Sequence, residues 1–438
     1  MNWNPDVRKG FSLSHLNPAG WGVVLTMCLL LLCRSISTCA AATPVAVLPN
    51  HLDGFDLGPY LSYWYDPAEE SGLDTARANL DAGHFEDLAG RSANLGFAHG
   101  NHWFHVVLQN TFTTRRMILL ELDYPILDQL EFFCSGNGQV PTYIPAGDHL
   151  QFDSRVIKVR NYVVPLELGP LQQTECMIRA RSQSNVVFPL SAYDTVTFIE
   201  HNQRVDGLLG ILYGLALALL LYNGVIYMST REPLYLYFIL HVIGGLGYTT
   251  AMDGTLANLW IALELQDVGL LVSICLCTGA GILFGLEYLE IRRAWPAANI
   301  LGTMLFMAMM GASVLVLVVP LMVSYIASSV ILPVVAIFLM VIGIKRWRDG
   351  YAQALFYVIG YGTVLLMVTW MCLNVLILRS DVRWITYGMC LAWVFELLLL
   401  SLGLVTVFRK PVVNDLFCPI RLSRCNRRAI SRPSSWPR

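Results

Sequence analysis

Three textures of hydrophobic and polar positions follow one another along the chain. Residues 1–42 place Arg8 and Lys9 ahead of a short apolar run, Trp21 to Leu32, and close on the small residues Ala40, Ala41 and Ala42. A positive flank, a core too short to span and a small-residue exit predict a secretory signal peptide. A lipid-modified Cys39 is the rival reading, disfavoured by the bulk of Thr38. Over residues 43–203 the pattern becomes short runs rich in β-branched and aromatic residues, broken by Gly, Pro, Asn and Asp. The strands predicted are His102 to Leu108, Met117 to Leu122, Gln129 to Cys134, Arg155 to Val164, Glu175 to Arg181 and Val187 to Tyr193. Short strands at this spacing, with no long helical period between them, predict an all-β sandwich or jelly roll.

Over residues 204–408 the runs lengthen. Crossing a hydrocarbon core of ~30 Å takes about 20 helical residues, and unpaired backbone groups are excluded from lipid. Seven runs qualify: Gly207 to Ser229, Leu234 to Ala251, Val268 to Leu289, Ile300 to Val319, Ser324 to Ile344, Ala354 to Leu378 and Ile385 to Phe408. Pro333 falls inside the fifth, where it predicts a kink. The fold class is therefore a membrane bundle of seven transmembrane helices preceded by an extracytoplasmic β-domain. Basic residues in short loops favour the cytoplasm. Arg231, Arg292, Arg293, Lys345, Arg346 and Arg348 fall on one side and only Arg379 and Arg383 on the other. With the signal peptide, this predicts the N-terminal domain outside the membrane and the C-terminus in the cytoplasm.

Composition agrees: 55% of the 438 residues are hydrophobic and 14% charged, against about 25% charged in soluble domains. The net charge of −2 gives no nucleic-acid footprint. Of the 11 cysteines, only Cys134 and Cys176 fall in the extracytoplasmic domain, where an oxidising compartment would permit one disulfide.

Chemistry is sparse. No phosphate loop, paired-cysteine zinc pattern or nucleophile elbow occurs, so no enzyme, cofactor or metal is expected. His99, His102 and His105 are spaced so that strand alternation splits them between two faces. Retinal chemistry needs an intramembrane lysine, and Lys9, Lys158, Lys345 and Lys410 all lie outside the runs. Glu396 sits near the middle of the seventh run, where a charge costs at least a few kcal/mol unless paired or protonated. It is expected to face the bundle, with His241, Asn223 or Asn374 as partner. Tyr63, Trp64, Tyr65, Trp103 and Tyr143 could stack on a ligand such as a sugar. Trp103 reads better as core and Trp64, beside Asp66-Pro67, as exposed. The candidate ligand contacts are Trp64, Trp103 and Arg155.

The order of several short motifs resembles a known family. In the β-domain these are Asn94-Leu95-Gly96, Trp103, Asn110, Leu119 to Leu122, Tyr124-Pro125, Leu127-Asp128, Gly147-Asp148, Phe152, Arg155 and Arg179 to Ser184 before Phe188-Pro189-Leu190. In the membrane part they are Gly210, Tyr213-Gly214, Tyr222-Asn223, Arg231-Glu232-Pro233, Tyr288-Leu289, Gly350-Tyr351-Ala352 and Glu396 leading into Leu398 to Leu404. Over Leu61 to Leu404 the chain resembles the bacterial seven-transmembrane receptors with diverse intracellular signalling modules that carry the second type of extracellular domain. The resemblance implies a jelly-roll sensor of a small molecule or carbohydrate, with the helices relaying its state inward. Family members continue into a cytoplasmic effector, and here residues 409–438 form a basic tail read as disordered on anionic lipid. The sequence is therefore expected to lack the effector, either as a natural short form serving a separate cytoplasmic signalling protein or through truncation of the gene. An accessory scaffold subunit and a transporter are the alternatives. Oligomeric state, a homodimer included, is left open.

Overall fold

The computed structural model describes residues 44–88, 94–97, 99–136, 140–182, 185–256, 266–316, 318–373 and 387–406. The signal peptide expected over 1–42, the tail over 409–438, Asn374, Arg379 and Arg383 lie outside the described residues.

The N-terminal part is a two-sheet sandwich. Its strands are β1 (Ala46–Val47), β2 (Phe55–Asp56), β3 (Ser62–Asp66), β4 (Glu86–Asp87), β5 (Asn94–Phe97), β6 (Asn101–Gln109), β7 (Arg116–Leu122), β8 (Gln129–Gly136), β9 (Thr142–Ala146), β10 (Tyr162–Leu168), β11 (Gln173–Arg181), β12 (Asn185–Val187) and β13 (Leu190–Asp194). One sheet runs β4-β3-β6-β11-β8-β9 with β1 alongside β6, the second runs β10-β7-β13-β2, and β12 pairs with β5 in a separate two-stranded sheet. Alternation along β6 sends Phe104, Val106 and Leu108 inward, where they meet Ile118, Leu120, Leu122, Tyr162, Val164 and Leu190 of the second sheet. The rings of Phe104 and Phe188 stack at 3.9 Å in this core. Cys134 and Cys176 are directly opposed across β8 and β11 and are joined by a disulfide.

Two sequence expectations change here. The run Arg155 to Val164 is a strand only from Tyr162, because Arg155 turns back to donate to the carbonyls of Val159 and Arg160, both at 2.8 Å, and holds that stretch as a loop. The run Val187 to Tyr193 is broken at Phe188-Pro189, where proline has no amide to give a ladder. A helix, α1 (Leu73–Asp81), also packs Leu73, Ala76 and Leu80 over Trp103 and Met177 on the outer face of the larger sheet. Its apolar positions recur at helical spacing for only nine residues, too short a signal to separate from the strand texture around it.

Among the described residues seven long helices follow, with one short helical turn, Ile291–Ala294, between the third and fourth: α2 (Thr195–Thr230), α3 (Pro233–Met252), α4 (Gln266–Tyr288), α5 (Pro296–Leu315), α6 (Leu321–Arg348), α7 (Ala354–Leu373) and α8 (Tyr387–Thr406). Six are long and apolar enough to cross a membrane, and α7 contributes a shorter apolar stretch, Ala354–Trp370, within the described residues. The contacts at the two ends of the bundle supply the missing crossing. The end of α4, the end of α6 and the start of α7 meet through Tyr288, Arg346 and Tyr351: Arg346 donates to the Leu289 carbonyl at 2.6 Å and Tyr351 to the Tyr288 carbonyl at 3.2 Å. Tyr387, which opens α8, is at the opposite end, against the sandwich. α7 thus starts at the end of the bundle remote from the sandwich, while Tyr387 of α8 stands beside the sandwich, as a seventh span in α7 requires.

The expected domain boundary at residues 203 and 204 falls inside α2, which starts at Thr195. Glu200, Asn202 and Arg204 depress the hydropathy of that first stretch, yet it is helical. Arg204 pairs with Glu200 one turn away at 3.1 Å, and Phe198 buries itself against Leu119, Val163 and Tyr193 of the second sheet. The sandwich thus passes into the first membrane helix with no linker.

Candidate functional site

Two groups of residues join the sandwich to the helices, and a third lies among the helices themselves. The first is the strand-to-helix joint. Arg116 on β7 clamps both carboxylate oxygens of Asp194, the last residue of β13, at 2.9 and 3.1 Å. The same guanidinium holds the Pro49 and Asn50 carbonyls at 2.6 and 3.0 Å, and Asp194 accepts the Leu52 amide at 2.8 Å. Bidentate charge-assisted bonds fix orientation as well as distance, so the junction of β13 and α2 is held against β7 and the segment between β1 and β2.

The second group is the loop before β10. Arg160, with 7% of its side chain exposed, donates to the Tyr387 hydroxyl on α8 at 2.8 Å and pairs with Asp206 on α2 at 3.3 Å. Tyr387 passes the contact on to Asp123 at 3.4 Å, and Asn161 ties Asp123 and buried Glu121 together at 2.7 Å each. Beside them the turn after α3 presses Gly254 against the sandwich. A Cβ there would lie 2.6 Å from the Arg160 carbonyl and 2.7 Å from Pro125, and the backbone has φ +78°, so only glycine fits. One sandwich loop therefore touches α2, α8 and the turn after α3 at the end of the bundle nearest the sandwich.

The third group is inside the bundle. His241 on α3 and Glu396 on α8 face each other at 3.6 Å with 6% and 2% of their side chains exposed. The other imidazole nitrogen lies 2.9 Å from the Cys277 carbonyl on α4. Tyr361 on α7 donates to the Gly281 carbonyl at 3.3 Å and, with Tyr357, lies within electrostatic reach of Glu396. Four helices meet at this one polar cluster. Asn223 is elsewhere, donating to the Leu219 carbonyl at 2.8 Å and to Ser401 on α8 at 3.3 Å.

A cavity of about 310 Å³ opens at the rim of the sandwich, lined by Glu69, His99, Asp128, His149, Arg181 and Ser182 among others. Arg181 and Glu69 form an ion pair across it. The residues that the sequence offered as ligand contacts do not line it. Trp103 is fully buried beneath α1, with Arg179 over its ring. Trp64, its cross-strand neighbour, is half-buried against Phe85 because α1 and the segment after it cover that face, so it is not the exposed ring expected. Arg155 lies between the rings of Phe152 and Tyr162 and serves the loop that carries Arg160. His102 and His105 separate as strand alternation requires, and His99 precedes β6. His102 stacks against Tyr63 and Tyr65 on the inner face, His105 meets Glu175 at 2.9 Å on the outer face, and His99 lines the cavity.

Arg160, Asp206 and Tyr387 carry no sequence signal of their own. Their pairing spans the chain from one domain to the other, and no local spacing encodes it.

Comparison with known proteins places this arrangement. The family model described as 7TMR-DISM extracellular 2 matches residues 58–194, and the one described as 7TM diverse intracellular signalling matches residues 206–406. No curated protein matches. Among solved structures, a family GH115 4-O-methyl-alpha-glucuronidase with specificity for decorated arabinogalactans is similar over 30% of this chain and 17% of that one. The identity is 14% and the TM-score 0.16, a likeness that carries no argument. The two family models between them take in most of the sandwich and the helices, and the chain belongs to the seven-transmembrane receptors with diverse intracellular signalling modules.

Proposed function

We propose that the sandwich senses an extracytoplasmic small molecule or carbohydrate and that its state is passed through the helices to a separate cytoplasmic signalling protein. On this reading the sandwich faces the periplasm of a bacterial inner membrane, the basic ends Arg231, Arg292, Arg293, Lys345, Arg346 and Arg348 face the cytoplasm, and lipid surrounds the bundle. The observation that carries it is Arg160, a buried cation of the sandwich held at once by α2 and α8. A ligand shifts a bundle only by its differential affinity for two conformations, so the groups joining sandwich to bundle set how much can be passed. A hydrogen bond to a charged group is worth roughly 1.5–3 kcal/mol, the same size as the 1–3 kcal/mol of typical allosteric coupling.

Coupling is reciprocal, which supplies the test. The full chain in nanodiscs is screened by thermal shift against mono- and oligosaccharides and small metabolites. A compound that stabilises the wild type is expected to bind Arg160→Ala with an affinity changed by about fivefold or more, although Arg160 is not in the cavity. Equal affinity for the two proteins would sink the relay.

A further inference from the structure

The cavity at the sandwich rim sets opposite charges against each other. At about 310 Å³ it is at the small end of the ~300–1,000 Å³ typical of pockets that hold small molecules, so it admits one compact ligand. Among the described residues its lining is polar and charged, with no Trp, Tyr or Phe on which an apolar ring face could stack.

One wall is the turn after β3, and Asp66 closes it. Its buried carboxylate accepts the Ala68 and Ser71 amides at 3.1 and 3.0 Å, the Ser71 hydroxyl, and the Asn101 side chain at 3.2 Å. Gly100 lets this turn lie on the start of β6, since it has φ +118° and a Cβ there would be 2.6 Å from the Asp66 carbonyl. Within the turn Glu69 has φ +60°, the left-handed region that residues other than glycine rarely adopt. Such residues persist where their surroundings impose the conformation, and they cluster at ligand-holding sites. In this conformation the Glu69 carboxylate meets Arg181 at the end of β11, where strand pairing sets Arg181 opposite Gln129 of β8.

The buried carboxylate of the lining is already engaged. Ser182 donates to Asp128 at 2.5 Å, and His149 lies 3.9 Å from the same group. Glu69 and Arg181 differ in being reachable: 31% and 46% of their side chains are exposed, so solvent screens the pair and opening it costs little. A neutral ligand inserted between them would face two charges with none of its own. An anion would satisfy Arg181 and repel Glu69, and a cation would do the reverse. A ligand carrying both charges replaces each partner in kind, with charge-assisted hydrogen bonds on both sides. Because the two side chains are in direct contact, the ligand that needs least opening has its own charges close together, as with an ammonium and a carboxylate on one carbon.

We propose that this cavity binds a free α-amino acid as its zwitterion, the ammonium donating to Glu69 and the carboxylate accepting from Arg181. This names a ligand class for the sensor proposed above, and its consequence for signalling rests on that reading, whereas binding does not.

The test is thermal shift of the full chain in nanodiscs against the common L-amino acids one at a time, with glucose and galactose as a sugar arm, followed by calorimetry on the best binder. At least one amino acid is expected to raise the melting temperature. Its α-amide and its des-amino acid, each lacking one of the two charges, are expected to bind the wild type about tenfold or more weakly. Glu69→Gln and Arg181→Gln are each expected to weaken the amino acid by about tenfold or more. Both positions are partly exposed, so the variants should keep the wild-type melting temperature without ligand; if one does not, the two ligand analogues still decide the matter on the wild type. No response to any amino acid overturns the proposal, and a response to a sugar in the same screen then leaves the sensor standing. Amino-acid binding that neither variant changes would put the ligand elsewhere and overturn the site. Amino-acid binding that needs Glu69 and Arg181 but is equal in wild type and Arg160→Ala would keep the site and sink the relay.

Discussion

A carboxylate inside a helical bundle is costly in isolation, and Glu396 shows how a single position is made tolerable. With His241 at 3.6 Å, each group is buried against the other, and removing either strands its partner. Glu396→Leu and His241→Leu are each expected to destabilise the bundle by about 3 kcal/mol, and the double variant by clearly less than their sum. Unfolding in mixed micelles measures this, and additive losses would mean the two side chains do not act as a pair. Asp66 poses a simpler case outside the membrane. Burial raises its carboxyl, but hydrogen bonds from the Ser71 hydroxyl and amide, Asn101 and the Ala68 amide outweigh burial and hold it below the ordinary 3.8. A depressed carboxyl stabilises fully above its unfolded value and loses that contribution as pH falls through the folded one. Asp66→Asn is therefore expected to cost about 2 kcal/mol at neutral pH, and its deficit against the wild type to shrink as pH drops below 3.8. A deficit independent of pH would show that the charge is not what matters. Glu396 was legible in the sequence because hydropathy makes a mid-span charge conspicuous. Its partner was not: His241, Asn223 and Asn374 were equal by depth, and only helix rotation puts His241 opposite and turns Asn223 toward Ser401.

Elements in the membrane pack through small residues, since lipid offers no hydrophobic drive for helices to associate. Gly244 brings α3 onto α4 at backbone distance, so that a Cβ would lie 2.4 Å from the Cys277 amide nitrogen. Gly244→Val should therefore push the two helices apart, costing about 3 kcal/mol. It should also separate His241 from its Cys277 contact, so the His241–Glu396 coupling measured by the double variant should fall with it. An unchanged coupling would mean that the cluster is held by α7 and α8 alone. At this scale the sequence was most readable where a pattern runs long. The seven apolar runs are each the length of a membrane crossing, and all seven helices are found where they were expected, give or take their ends. Short elements were lost: β1 and β2 have two residues each, and α1 has nine, all below the length at which periodicity separates from composition. The start of α2 was missed for a different reason. Its first turns are polar, and they are helical because the sandwich supplies the apolar surface for Phe198.

At the scale of the molecule, a rigid joint and a polar contact lie side by side. The Arg116–Asp194 clamp ties the junction of β13 and α2 to β7, while the Arg160 contacts join the same sandwich to α8 and, through Gly254, to α3. On the proposed relay, a shift of the sandwich would reach α2, α3 and α8 together, and the last two carry His241 and Glu396. The two arms of Arg160 are unequal. Asp206 is 53% exposed, and solvent-screened pairs are worth at most ~1 kcal/mol, whereas the Tyr387 hydroxyl meets a buried cation. Tyr387→Phe is accordingly expected to cost about 2 kcal/mol in thermal stability and Asp206→Asn under about 1 kcal/mol; the reverse order would make the exposed pair the working contact. None of this joint could be read from the sequence, because Arg160 and Tyr387 belong to different textures and meet only after both domains have folded.

Hydrogen exchange of the full chain in nanodiscs, wild type against Arg160→Ala, reaches this joint directly. If Arg160 couples the domains, exchange quickens beyond its own loop, at the turn around Met252 to Thr255 and in the first turns of α8 after Tyr387. If faster exchange is confined to the loop between Phe152 and Asn161, the sandwich and the helices are neighbours that do not communicate through Arg160.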